Sequence, residues 1–294
     1  MNFPPGVLLV EKPVGPTSHD VVAHVRKAAG TKKVGHAGTL DPFASGLLIL
    51  LVGQATRLSE YILGLDKVYQ ATALLGIETS TDDPEGEVVR RDPGWTRLTA
   101  GHVESTLTGF RGTYLQVPPV YSSKKVGGVA AHRRVRRGEA LEMKPEEVRI
   151  HEIRLLDYSP PEVHFRVACS SGTYIRALGR DLGRALGVGA HLSALMRAAV
   201  GDFKLEAANP LSSLCDREAI LEQLLSPSDA LAHLPSLDVD SADGRRIRHG
   251  QAVPLGGADL PEDEPIRILL DGELLAVGFR KGDDLRPRKV LIHD

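Results

Sequence analysis

An α+β fold is predicted for this 294-residue chain, and three stretches predict it. "GLLILLVG" (46–53) carries no polar residue from 47 to 52, as in a strand buried on both faces. "EVHFRVAC" (162–169) alternates, with Val163, Phe165, Val167 and Cys169 on one face, as in a half-buried strand. "TYIRALGRDLGRALG" (173–187) sets Ile175, Leu178, Leu182 and Leu186 at helical spacing. Strands run long before helices intervene, which favours a mixed sheet with helices laid against it.

The other elements follow in order. "GVLLVEKPVGPTS" is a strand ending in a Pro/Gly turn. Thr17 or Ser18 then caps a helix through Val21, Val22, Val25 and Ala29, stopped by Gly30. After the apolar strand, "ATRLSEYILG" reads as a short helix and "KVYQATALLG" as a strand. "ETSTDDPEGEV" is a turn-rich connection; its Asp82-Asp83 pair could hold magnesium, but such a run reads more simply as a solvated turn. "PPVYSSKKVGG" reads as an irregular loop before a short basic helix that ends at Gly138. "HLSALMRAAVGDF" is a strand. A domain boundary is expected near 233–237, around Pro235, followed by a short helix ("SADGRRIRHG") and strands, with Asp271-Gly272 as a hairpin turn.

Composition narrows the function classes. Two cysteines, Cys169 and Cys215, give neither a disulfide framework nor a metal site, and fit a reducing cytoplasm. The first apolar run is too short for a signal peptide, and no stretch approaches a membrane span. Net charge is −2, but it is segregated. Residues 124–137 hold Lys124, Lys125, Arg133, Arg134, Arg136 and Arg137 without an acid, while 202–264 hold 13 acids against five bases. A local basic ridge is what phosphate contact requires, and equally what a solvated helix face presents. GxxxxGK[ST], GxGxxG, HExxH and GxSxG are all absent, which removes support for nucleotide binding, a zinc protease and an acyl-transfer serine. What remains is one carboxylate, Asp41, in the loop "GHAGTLDPFASG". A lone carboxylate serves as a nucleophile where a cation develops, or it simply caps its own backbone.

In order and spacing, "GHAGTLDPFASGLLILLVGQATR", "KVYQATALLG", "QVPPVYSSKKVGG", "CSSGTYIRALGRDLG" and "GAHLSALMR" resemble the bacterial tRNA pseudouridine-55 synthases, the TruB family. The resemblance starts at "VLLVEKPVGPTS" and covers nearly the whole chain. It implies a mixed, mainly antiparallel sheet flanked by helices over 1–233, with 121–150 as an RNA-gripping insertion. A small β-rich PUA-like RNA-binding domain follows over 234–294. It implies isomerisation of a T-loop uridine of tRNA to pseudouridine without cofactor or metal. The C1′–N1 bond breaks, the base rotates, and C5 joins C1′.

By that resemblance Asp41 is the essential aspartate and Arg176 the arginine that pairs with it. Tyr69 stacks on the target base and is implicated in C5 deprotonation, while Tyr174 and Leu195 line the uridine pocket. His36 occupies the space that the flipped base leaves, and Lys12-Pro13 packs beneath the site. The ridge from Lys124 to Arg137 grips the T arm. The expected partner is tRNA alone, bound by a cytoplasmic monomer that needs no protein subunit and no membrane. His132, where a tyrosine is usual, and Met196, where a second arginine often stands, depart from the family pattern. The rivals are a guide-RNA-dependent synthase and an RNA chaperone.

Overall fold

The computed structural model describes residues 3–122, 125, 126, 129, 130, 134, 137, 141 and 143–291. Its centre is a ten-stranded sheet. Eight strands run in the order Asn209–Pro210, Gly6–Lys12, Ser45–Val52, Ala190–Val200, Lys67–Leu75, Glu162–Cys169, Glu146–Ser159 and Gly112–Gln116. Val34–His36 pairs with Ser45–Val52, and Phe203–Lys204 with Ala190–Val200. Pairing is antiparallel except at Gly6–Lys12 with Asn209–Pro210 and at the short contact of Met196 and Arg197 with Ser45 and Gly46. The mixed, mainly antiparallel α+β class is thus found.

The apolar run 47–52 is continuous because both faces of its strand are covered. Leu48, Leu50 and Val52 enter one core cluster with Leu8, Val10, Val21, Val25 and Phe165. Leu47, Ile49 and Leu51 enter a second with Val7, Leu9, Leu58 and Ile62. The first helix, Ser18–Ala29, starts at Thr17, whose side chain accepts from the Asp20 amide while the Asp20 carboxylate accepts from the Thr17 amide. It stops at Gly30, which adopts φ +65°.

A second sheet closes the chain, in the order Ser236–Asp238, Pro265–Leu270, Glu273–Lys281, Asp284–Val290 and Val253–Pro254. The expected hairpin is present: Asp271 and Gly272 both have positive φ and join two antiparallel strands. Lys125–Val126 and Val129–Ala130 pair as a two-stranded sheet inside the stretch read as loop. A pair of short strands there lets the backbone bond to itself, which an irregular loop would not. Lys124, His132, Arg133 and Arg136 lie outside the described residues, as does the side chain of Lys125. No helix among the described residues is long and apolar enough to cross a membrane.

Candidate active site

The Asp41 loop links Val34–His36 to Ser45–Val52, and three buried side chains donate to carbonyls in the loop and beside it. Lys12 Nζ donates to the carbonyls of Ala44 at 2.7 Å, Pro13 at 2.9 Å and Pro42 at 3.5 Å. Ser18 Oγ donates to the Leu40 carbonyl and accepts from its amide, both at 2.9 Å. Arg197 donates from Nε to Leu47 at 2.8 Å, from Nη2 to Gly38 at 3.1 Å and from Nη1 to Thr39 at 3.3 Å. A loop whose polar backbone is satisfied this fully holds its one carboxylate in place. Lys12 therefore does more than fill space beneath the site. Burial pushes its ammonium below the usual lysine range.

Arg176 stands in the first turn of the helix Ile175–Ala185. Its Nε meets Asp41 Oδ2 at 2.9 Å, and Nη2 lies 3.5 Å from Oδ1. The Arg176 side chain is 7% exposed and that of Asp41 33%, so the carboxylate keeps a face open to solvent. Burial raises the Asp41 carboxyl above the usual carboxylate range, and the Arg176 guanidinium opposes the rise. Asp83 adds to it, while Lys12 and Arg197 work against it.

The reading of Asp82-Asp83 as a solvated turn is corrected. Asp83, 4% exposed, takes Arg176 Nη1 at 2.9 Å, and Asp82 takes Arg180 Nη1 at 3.0 Å. Arg176 also donates to the carbonyls of Thr81 at 3.0 Å and Tyr121 at 2.8 Å. A second acid thus does serve the site, held apart from Asp41 by the shared guanidinium. The sequence carried a usable signal. Two arginines four apart on one helix match two consecutive aspartates, a complementarity that a solvated turn does not need.

The remaining residues surround this pair. Tyr69 is buried and pairs in register with Arg197 across the two strands. Burial pushes the Tyr69 phenol up, so it is protonated at neutral pH. Leu195 is buried opposite Ala71 on the same strand pair. Tyr174 is fixed by Gln116, which accepts from its amide at 2.8 Å and donates to its carbonyl at 3.1 Å. His36 meets His19 edge-on, ring centres 5.6 Å apart, and its Nδ1 has no hydrogen-bond partner among the described residues. Burial and the His19 ring push its imidazole down, which keeps it neutral at pH 7. Of the basic ridge, Arg134 is half-buried and Arg137 exposed. Arg197 carries no place in the sequence-level set, although it braces the loop that holds Asp41.

Comparison with known proteins gives one answer. Residues 26–175 match the family described as TruB family pseudouridylate synthase, N-terminal domain, and 176–232 match the tRNA pseudouridylate synthase B C-terminal domain. A Thermobifida fusca protein named tRNA pseudouridine synthase B is 42% identical, covering 96% of this chain and 97% of its own length. One of the same name from Symbiobacterium thermophilum is 47% identical over 84% and 82%. Among solved structures, an H/ACA RNP bound to a substrate RNA containing 2′-deoxyuridine matches with a TM-score of 0.75 and 26% identity, over 98% of this chain and 85% of that one. A Cbf5-Nop10-Gar1 complex matches with 0.75 and 28%, over 97% and 84%.

Proposed function

The chain belongs to the TruB family of pseudouridylate synthases, and from that premise we propose how its own residues turn uridine 55 of the tRNA T loop into pseudouridine. The protein is a tRNA pseudouridine synthase, an isomerase. Substrate and product have the same atoms, so nothing is consumed. The C1′–N1 bond breaks, C5 bonds to C1′, and the proton lost from C5 is matched by one gained at N1. C1′ and C5 cannot be reached in a stacked loop, so the nucleotide must be flipped out.

The observation that carries the reading is the Asp41–Arg176 pair. A carboxylate with one open face, fixed by a 2.9 Å contact to a buried guanidinium, can be presented to a sugar–base junction, and that guanidinium opposes the rise that burial imposes on its carboxyl. Tyr69 offers a flat, protonated ring to the flipped base. Tyr174 and Leu195 bound the pocket, and neutral His36 fills the vacated place in the T loop. The ridge at 124–137 grips the T arm, and its phosphate contacts position the arm without reading bases. Residues 1–233 form the catalytic domain and 234–294 a PUA-like RNA-binding domain. The enzyme acts as a cytoplasmic monomer. Its 42–47% identity to proteins named as tRNA enzymes, against 26–28% to components of ribonucleoprotein assemblies, supports action without a guide RNA or protein subunits.

The test is incubation of the purified protein alone with an unmodified tRNA transcript, with pseudouridine mapped at single-nucleotide resolution. Conversion at position 55 is expected. Asp41→Asn should abolish turnover while tRNA affinity stays nearly unchanged, because the amide keeps shape but not charge. A variant that retains even a tenth of the parent rate removes Asp41 from the chemistry.

A further inference from the structure

The reaction as described uses Arg176 and leaves Arg180, one turn further along the same helix, without a task. Both are buried, and both reach the same two segments. Arg176 takes the Asp83 carboxylate and the Tyr121 carbonyl; Arg180 takes the Asp82 carboxylate at 3.0 Å and the Val117 carbonyl at 2.8 Å. Arg180 Nε is fixed in turn by Asp181 at 2.9 Å. Residues four apart lie on one face of a helix, so the two guanidiniums form a double staple. On one side it holds the acidic turn Thr81–Asp83. On the other it holds the segment Val117–Tyr121, the root of the 121–150 insertion.

The acidic turn needs such a staple. Asp82 adopts φ +61°, a backbone conformation that residues with a side chain rarely hold. It persists only where its surroundings over-determine it. Here those surroundings are the Leu192 amide on the Asp82 carbonyl at 3.1 Å, the Thr79 carbonyl on its amide at 3.3 Å, and Arg180 on its side chain. The next residue, Asp83, is the one that fixes the far end of the Arg176 fork.

We propose that Arg180 is a positioning residue for pseudouridine formation: by clamping Asp82 it keeps Asp83 against Arg176, and so sets the orientation of Asp41. The proposal rests on the assignment of Asp41 and Arg176 above. Arg180 has no contact with Asp41 and acts only through the turn.

Single-turnover conversion at saturating enzyme, tRNA affinity, pH dependence and thermal unfolding are to be measured for Arg180→Met. A displacement of about 1 Å at a reacting group costs about 100-fold in rate. The expected loss is therefore about 10- to 100-fold, with tRNA affinity unchanged and the acid limb of the pH profile moved upward as Arg176 loosens from Asp41. Asp82→Gly added to Arg180→Met should restore much of the rate, since it removes a stranded carboxylate and glycine takes a left-handed turn without strain. If the Met variant does not fold, Arg180→Lys takes its place. It keeps the charge without the fork and should be slowed in the same way. A folded variant with the parent's rate overturns the proposal. So does a loss with the parent's pH profile and no recovery on Asp82→Gly, which would be general damage. Turnover by Asp41→Asn in the same assay would instead overturn the catalytic assignment, a failure separate from that of Arg180.

Discussion

Asp41 sits under two opposed forces, and in its proposed catalytic role their balance sets how the enzyme responds to pH. Burial disfavours its charge, and Arg176 at 2.9 Å favours it, with burial the larger. A carboxyl raised in this way loses its charge on acidification earlier than an ordinary aspartate, whose value is about 3.9. The acid limb of kcat/KM is therefore expected above that value. In Arg176→Ala the opposing force is gone, so the limb should move higher still, and Asp83 is left buried and unpaired. Breaking a buried pair costs about 3–5 kcal/mol, which in the transition state is about 10²–10³-fold or more in rate. Single-turnover rates across pH check both claims. A variant that loses tRNA binding and keeps its rate would place Arg176 on the phosphate surface. Asp41 and Arg176 were legible in the sequence as motif positions. Asp83 and Arg197 were not read from any motif: their partners lie 93 and 150 residues away, and only the match of two arginines four apart with two consecutive aspartates, nothing local, separates a buried acidic turn from a solvated one.

The elements that position these residues differ in how plainly they are written. Ser45–Val52 and Glu162–Cys169 are unmistakable, since the first pairs with Gly6–Lys12 and the second with Lys67–Leu75 in an unbroken register. Glu146–Ser159 escapes a period-of-two reading because its pairing shifts register between Ile150 and Glu152 and again between Leu155 and Asp157. Each shift moves the apolar set to the other face. The parallel contact of Gly46 with Arg197 is equally hidden, although it seats Arg197 beneath the Asp41 loop. Gly46 has φ +103°, and a Cβ there would stand within 3 Å of the Arg197 backbone nitrogen and oxygen. Gly46→Ala should therefore force the two strands apart. Overpacking of this kind costs about 1–3 kcal/mol and the left-handed backbone a similar amount. Denaturant unfolding should show a loss of that size, and single-turnover conversion should fall with it as Arg197 leaves the carbonyls of Gly38 and Thr39. A parent-like midpoint would mean that the strands do not touch there.

At the scale of the whole molecule, the second sheet is built into the first body, although composition alone would make it an appended module. Leu269, Leu274, Val277 and Leu291 share a core cluster with Val7, Leu9, Leu47, Ile49 and Leu51, the side chains of one face of the main sheet. Ala230 and Leu231 complete the same cluster. Polar ties cross the same junction: Arg57 Nη1 donates to the Val290 carbonyl at 2.5 Å, and Lys289 Nζ meets Glu60 Oε1 at 3.1 Å. The latter is partly exposed and contributes little, so the apolar cluster dominates. Full burial of one such aliphatic side chain stabilises by about 1.5–3 kcal/mol, and 1 kcal/mol moves the midpoint of a domain of this size by about 2–4 °C. The intact protein should therefore unfold in one transition, with calorimetric and van't Hoff enthalpies in agreement. A chain ended at His233 should melt at least about 5 °C lower or aggregate, because it uncovers an apolar sheet face. It should also convert tRNA more slowly even at saturation, since Leu47 and Ile49 lie on the strand that carries the end of the Asp41 loop. A truncated chain with the parent's midpoint and saturating rate would show that the second sheet is an independent RNA-binding attachment. Its shared cluster with the main sheet would then stabilise neither half.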